Sequence, residues 1–375
     1  MNLEKLIRFL DRLTEMKIPG MDMVIYKDHQ EIFRHWAGYA DIANKKPMCG
    51  DELYFLYSAT KVMTCAAGMK LIEDGKILVT DPLYEYMPEF RDMMVKTIDG
   101  NIDNAKNNIT VRDLFTMSAG FDYDLGTDVI QSYKRETNGK CPTVETMKQL
   151  AKKPLSFEPN THWQYSLCHD VLGALIEVVS GKRFGEYLKE NFWQPLGMNR
   201  TSTVYDDNTK SKMSKQYIFC DETQTVEEIE LSNGYMDIGT EYESGGAGLI
   251  SCVDDYIKFA DAMANGGIAK NGERILNAKT IDLMRTNCLD ETALKDFKME
   301  RVRGYGYGYG VRTLIDRAKA GALSPFGEFG WSGAAGAYVL IDPQNHIAVY
   351  YAQHMLNNYE HYVHPRLRNL VYSSL

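Results

Sequence analysis

Glu52-Leu-Tyr-Phe-Leu-Tyr57 runs directly into Ser58-Ala-Thr-Lys61, and behind it residues 62–71 continue as a largely apolar run that stops at Gly75. The first stretch reads as extended and the last as an amphipathic helix, so a serine stands at the joint between a strand and a helix. A bare S-x-x-K arises by chance about once in a chain of this composition, and on its own it is a helix-capping serine with a solvated lysine. Here the setting carries the chemistry. Residues three apart share a helix face, which puts the Lys61 ammonium one turn beyond the Ser58 hydroxyl. The free N–H groups of the first turn and the positive end of the helix dipole favour negative charge developing beside Ser58. Such a serine suits acyl-enzyme chemistry.

Working outward, a chain of 375 residues can bury a full core and divides into two lobes. Its net charge of -9 argues against nucleic acid or an anionic membrane as partner and leaves small molecules. Residues 3, 6, 7, 10 and 13 are apolar with charges between them, the pattern of an amphipathic surface helix that lacks the uninterrupted apolar core of a signal peptide. There is no run of about 18 apolar residues to cross a membrane. The cysteines at 49, 65, 141, 168, 220, 252 and 288 form no C-x-x-C pair, which reads as reduced thiols in a cytoplasm. Oligomeric state is not legible.

Near the start, residues 21–26 and 31–36 flank a polar turn at 27–30 and predict a β-hairpin. Near the end, residues 337–341 and 347–351 flank 342–346 and predict a second. Gly304-Tyr-Gly-Tyr-Gly-Tyr-Gly310 alternates with period two and runs into residues 311–315, so it is expected to open a strand with its tyrosines on one face. It holds no phosphate-binding pattern. Between these ends the spacing predicts helices over 111–117, 144–151, 170–180, 184–192 and 253–264. Strands at both termini with helices between them imply an α+β fold, in which the two ends share one antiparallel sheet. The boundaries follow: 1–80 with 236–375 as the sheet lobe, and 81–235 as a mainly helical lobe.

A serine nucleophile benefits from a second proton-transfer group, an oxyanion site and a substrate-facing wall. Tyr165 sits in a polar turn just before the helix at 170–177, a position from which its hydroxyl can project into a cleft. Free tyrosine is a poor base at neutral pH, so it needs a nearby cation, and Lys61 is the candidate. At about 4 Å and an effective dielectric of about 20, two unit charges attract by roughly 4 kcal/mol. The small residues of Gly330-Trp-Ser-Gly-Ala-Ala-Gly336 allow close backbone approach, so the N–H groups of Ser58 and Ala334 are the candidate oxyanion hole. The eight histidines are dispersed, and Cys168-His169-Asp170 is contiguous, unsuited to chelation from one face. No metal and no cofactor are expected, and His169 reads as a helix-start residue near the cleft.

Taken in order, several segments resemble one superfamily, the serine β-lactamases and penicillin-binding proteins, on the side of the class C enzymes and β-lactamase-like carboxylesterases. They are Ser58-x-x-Lys61 continuing as Lys70-Leu-Ile-Glu-Asp-Gly-Lys76, Asp81-Pro82, Tyr86-Met-Pro-Glu-Phe90, Ile109-Thr-Val-Arg-Asp-Leu114 and Ser118-Ala-Gly120. Tyr165-Ser166, Asp170-Val-Leu-Gly173, Pro195-Leu-Gly-Met198, Gly245-Gly-Ala-Gly-Leu-Ile-Ser251 and Gly330-Trp-Ser-Gly333 follow. The resemblance implies a β-lactamase/DD-peptidase-like fold, with Ser58 as acylated nucleophile, Lys61 as its proton partner and Tyr165 as the second motif's base. Trp331, Ser332 and Gly333 take the third motif's place, and Ala334 follows as oxyanion donor.

Two departures bear on substrate. Leu167 stands at the substrate-binding position where class C β-lactamases have an asparagine for the substrate amide. Trp331 stands where those enzymes have a lysine, and an indole supplies one donor and no charge for a substrate carboxylate. Arg303, Arg312 and His354 are the candidates for a replacement cation. The resemblance with these departures implies a cytoplasmic serine esterase acting on small uncharged acyl esters. The alternatives are a β-lactamase, a D-amino-acid peptidase or an amide hydrolase of the same superfamily, and, in a different class, a catalytically silent ligand-binding relative.

Overall fold

The computed structural model describes residues 3–235 and 237–375. Its centre is an eight-stranded antiparallel sheet drawn from both ends of the chain. In spatial order the strands are Tyr305–Tyr307, Arg312–Leu314, Phe329–Gly330, Tyr338–Asp342, Ile347–Gln353, Gly20–Lys27, Gln30–Asp41 and Lys46–Pro47. The chain ends meet where Gly20–Lys27 pairs with Ile347–Gln353, in a register that sets Met23 opposite Tyr351. The two-residue turn Asp28-His29 closes the first hairpin with φ of 48° and 64°, the left-handed pair that a tight hairpin needs.

Side-chain alternation explains why both sheet faces are covered. Met21, Met23 and Ile25, with Leu340, Val349 and Tyr351, pack under the terminal helices Glu4–Glu15 and Glu360–Ser374. Val24, Val339, Ile341, Ala348 and Tyr350 face the other way, onto the main core. Helix Val253–Ala264 lies on that second face, against Gly20–Lys27, Tyr338–Asp342 and Ile347–Gln353. Thr60–Glu73 comes next, packed on Cys168–Ser180.

The expected amphipathic character of the helix after Ser58 is not observed. Every residue from 60 to 69 is buried, because those turns are wedged into the main core, and the helix reaches solvent in its last turn at Glu73. The Gly304 to Gly310 segment also departs from expectation. Instead of one strand running to residue 315 it makes two, Tyr305–Tyr307 and Arg312–Leu314, paired antiparallel. Gly310 (φ 82°) takes the turn, and a Cβ there would sit 2.0 Å from Cys65 Sγ.

The segment 81–235 holds the helices Val111–Thr116, Asp128–Glu136, Thr143–Lys148, Cys168–Ser180 and Phe184–Leu188. It also holds an unexpected hairpin, Gln216–Cys220 with Thr225–Ile229, joined in parallel by Met355–Leu356 from near the C-terminus. We propose the two-lobe division at 80/81 and 235/236 on this distribution, with that hairpin as a tie between the lobes. Tyr54–Phe55 pairs with Ile250–Ser251, and Leu56 N–H donates to Leu249 O at 2.9 Å. This pairing carries the chain into Ser58 beside the glycine-rich loop 245–248.

Candidate active site

Ser58 lies in the single 3-10 turn Tyr57–Ala59 that leads into helix Thr60–Glu73. Tyr57, just before it, has φ 46°, a left-handed value that kinks the chain at the joint. Gln216 Nε2 donates to the Tyr57 hydroxyl, and that hydroxyl donates to Ser232 O at 3.3 Å, which pins the kink. One turn on, Lys61 is fully buried. Its ammonium donates to Ser58 Oγ at 3.2 Å, Tyr123 Oη at 3.1 Å and Gly246 O at 2.7 Å, so all three of its N–H groups are engaged. Burial pulls its pKa down, but the oxygens of Tyr123 and Tyr165 and the Asp170 carboxylate more than offset this and hold Lys61 above the ordinary lysine value. Lys61 is thus placed as a hydrogen-bond donor to Ser58 Oγ.

Tyr165 Oη is 2.7 Å from Ser58 Oγ. Trp331 Nε1 donates to the same phenol oxygen at 3.3 Å, and the two rings stack at 5.9 Å. Tyr123 stacks on the other face of Tyr165 at 5.1 Å, with Tyr235 edge-on to Tyr123 at 5.8 Å. Arg301 lies over the Trp331 ring at 5.9 Å. The result is one continuous row, Tyr235, Tyr123, Tyr165, Trp331 and Arg301, with Tyr165 in the middle and Lys61 Nζ 4.8 Å from its ring centre. Burial pushes the Tyr123 phenol far up, and that of Tyr235 as well, so both stay neutral.

A cleft of about 370 Å³ opens over Ser58. Tyr57, Tyr123 and Tyr235 give it an aromatic side, while Arg301, Ser332, Asn357, Asn358 and Glu360 give it a polar one. Gly333 and Ala334 line it beside Ser58. A Cβ on Gly333 would lie 2.2 Å from Leu56 O, so glycine lets the third-motif strand close onto the segment before the nucleophile. Asn358 Nδ2 donates to Ala334 O at 2.6 Å, which orients that peptide. A hollow of about 770 Å³ between residues 14–19, 38–47 and 224–226 is roomier but holds none of this chemistry.

Behind Lys61, Asp170 is fully buried and accepts from Tyr242 Oη (2.9 Å), Ser244 Oγ (2.5 Å) and Gly246 N–H (3.3 Å). The carboxylate thus fixes the loop whose Gly246 carbonyl holds Lys61. Burial raises the Asp170 pKa, and the Lys61 charge works against that rise.

Ser58, Tyr165, Ser332, Gly333 and Ala334 line one cleft, with Lys61 bonded to Ser58 beneath it. Two expected substrate contacts do not reach the cleft. The Leu167 side chain is buried in the main core at the start of helix Cys168–Ser180. Trp331 is only 1 % exposed and touches Tyr165 rather than open space. Among the three replacement cations, Arg312 is buried against Glu328 at 3.1 Å. His354 is buried behind Phe55, its pKa pushed down to about 4 by burial. Arg303 lines a separate hollow with Met299 and Ile315. Arg301, two residues earlier, is the cation that lines the cleft. His169 is fully buried and neutral, pushed down to about 3 by burial, and sits against Phe115 O and Cys65 Sγ. Among the described residues no three His, Cys, Asp or Glu side chains are placed to hold a metal ion.

Sequence reasoning missed Tyr123 and Arg301. Tyr123 follows the family-like Ser118-Ala-Gly120 by three residues, the one signal that pointed near it.

The Beta-lactamase family profile matches residues 6–371. The chain belongs to the Beta-lactamase family. Within it, the chain is 27% identical to Esterase EstB of Burkholderia gladioli over 362 residues, covering 89% of this chain and 85% of the relative. It is 29% identical to Protein Rv1367c of Mycobacterium tuberculosis (strain H37Rv), covering 84% and 81%. Among solved structures it resembles EstCE1, described as a hydrolase with promiscuous acyltransferase activity, with a TM-score of 0.80 and 26% identity over 99% of this chain and 98% of that one. The Beta-lactamase-family chain is a serine hydrolase.

Proposed function

We propose that this protein is an esterase that forms an acyl-enzyme on Ser58 with small, uncharged acyl groups. The observation that carries this reading is the pair of contacts on Ser58 Oγ, to Tyr165 Oη at 2.7 Å and to Lys61 Nζ at 3.2 Å. Tyr165 as phenolate, balanced by the Lys61 ammonium, takes the Ser58 proton as Oγ attacks the ester carbonyl. The N–H groups of Ser58 and Ala334 receive the oxyanion, and Tyr165 passes its proton to the departing alkoxide. Water then repeats the sequence on the acyl-enzyme. Trp331 donates to the phenolate oxygen, so this neutral donor stabilises the base without attracting a substrate carboxylate. The relative named as an esterase supports this reading. The seven cysteines of this chain are dispersed with no C-x-x-C pair, and that spacing supports a reducing cytoplasm as its location. Among the described residues no helix is long and apolar enough to cross a membrane.

Arg301 in the cleft favours one rival, a hydrolase of carboxylate-bearing β-lactams or peptides. Steady-state hydrolysis of p-nitrophenyl butyrate and of a chromogenic cephalosporin by wild type and Ser58→Ala separates the two. The esterase reading expects ester turnover that Ser58→Ala abolishes and little cephalosporin turnover. Cephalosporin as the better substrate transfers the reading to the rival, and ester turnover unchanged in Ser58→Ala removes both.

A further inference from the structure

The polar side of the cleft has a charge arrangement that the esterase reading does not use. Arg301 Nη1 donates to Glu360 Oε1 at 3.0 Å, and Ser332 Oγ donates to Glu360 Oε2 at 3.4 Å. Both charged side chains are about a quarter exposed (26% and 23%), so they are held in place yet reachable from the cleft. Each carboxylate oxygen accepts one bond and has a lone pair to spare, and the guanidinium has more donors than the one Glu360 engages. The wall therefore offers acceptors and donors side by side, with no net charge.

Its place relative to Tyr165 assigns it a role. In the row of rings, Trp331 and Arg301 lie on one side of Tyr165 and Tyr123 on the other. The Tyr165 hydroxyl meets Ser58 Oγ and the Trp331 N–H, while Lys61 sits between Ser58 and Tyr123. In the proposed mechanism Tyr165 Oη gives its proton to the leaving alkoxide, and of the two sides of Tyr165 the one with Ser332 and Arg301 is the one that offers polar groups to an alcohol. On that assignment the acyl group takes the aromatic residues Tyr57, Tyr123 and Tyr235.

We propose that the enzyme selects esters whose alcohol portion is a neutral polyol, such as a glyceryl or sugar unit, bound between Arg301 and Glu360. This rests on the serine esterase reading and specifies its leaving group. A polyol hydroxyl donates to Glu360 while another accepts from Arg301, with no charge left unmatched. A carboxylate-bearing alcohol gains at Arg301 but meets Glu360 3.0 Å away, and a cationic alcohol meets the reverse conflict. A plain alkyl alcohol leaves both groups unused.

The test compares kcat/KM, which reports acylation and hence the leaving group, for glyceryl monobutyrate, ethyl butyrate and butyryl glycolate. All three yield the same butyryl-enzyme. Wild type is expected to prefer the glyceryl ester over both others. In Glu360→Gln and Arg301→Met the glyceryl-to-ethyl ratio is expected to fall about tenfold, the scale of one hydrogen bond to a charged group. The ratio is internal to each variant, so a general loss of folded enzyme cancels. A ratio unchanged in both variants, or butyryl glycolate as the best ester, overturns the proposal. Failure of the underlying reading is distinct, since it appears as p-nitrophenyl butyrate turnover that survives Ser58→Ala.

Discussion

Trp331 replaces a cation with a single N–H, and the consequence is local to one oxygen. Its indole donates to Tyr165 Oη and stacks on the same ring. Trp331→Phe keeps a stacking ring and removes the donor, so kcat for p-nitrophenyl butyrate is expected to fall about tenfold, the scale of a hydrogen bond to a charged group. KM is expected to change little, because Trp331 is buried beneath Tyr165 and not in the cleft. The truncation also leaves a void, and thermal denaturation reads that cost separately. The nucleophile, its lysine and its tyrosine were legible in the chain because their spacing and flanking residues are local. Tyr123 and Arg301 were not, since each reaches the site by folding from a distance: Tyr123 is one of 24 tyrosines and Arg301 lies in a short 3-10 turn. Leu167 was misplaced for a related reason. Its neighbour two residues back points into the cleft, while the turn into helix Cys168–Ser180 sends Leu167 to the core.

Close packing of elements, more than any one side chain, sets the width of the proposed oxyanion site. The third-motif segment approaches the chain before Ser58 so closely that a Cβ on Gly333 would meet Leu56 O at 2.2 Å. Gly333→Ala is expected to push Ala334 away from Ser58 and lower kcat about a hundredfold, the cost of one misplaced oxyanion donor. Circular dichroism should remain that of the folded protein, because the clash lies at one strand end; an alanine variant with full activity would show that the approach is unimportant. The hairpins at 20–41 and 338–353 were readable from alternation and polar turns. The Gly304 to Gly310 strand was not read correctly, because period-two spacing cannot show that Gly310 must turn against Cys65. Nor could amphipathicity be judged for a helix whose first turns are later covered on every side by other elements.

Across the whole molecule, burial sets the response to acid. His169 and His364 are pushed down to about 3 and His354 to about 4, all by desolvation. A histidine with a depressed folded-state pKa contributes stability above its unfolded value of about 6.5 that is lost as the pH falls toward the folded value. Asp22 and Glu177 are pushed up to about 7 by burial, so they act in the opposite sense between about pH 4 and 7. Burial raises Asp113, Asp170 and Asp261 in the same sense as Asp22 and Glu177, so imidazoles and carboxylates oppose each other between about pH 6.5 and 5, each unmatched proton changing stability by about 1.4 kcal/mol per pH unit. Between about pH 6.5 and 5 the change in denaturant midpoint should be more negative in Asp22→Asn with Glu177→Gln than in wild type, because two opposing carboxylates are removed; the same change in both proteins contradicts the account. The sheet built from both chain ends was foreseeable at this scale, whereas the parallel tie between Gln216–Cys220 and Met355–Leu356 joins segments too far apart for any local pattern to reveal. The central claim is that Ser58 carries the acyl group. Acid-quenched enzyme, mixed with p-nitrophenyl butyrate for less than one turnover and mapped by peptide mass spectrometry, tests it most directly: the account predicts a butyryl group on Ser58, and ester turnover with the adduct elsewhere or absent would contradict it.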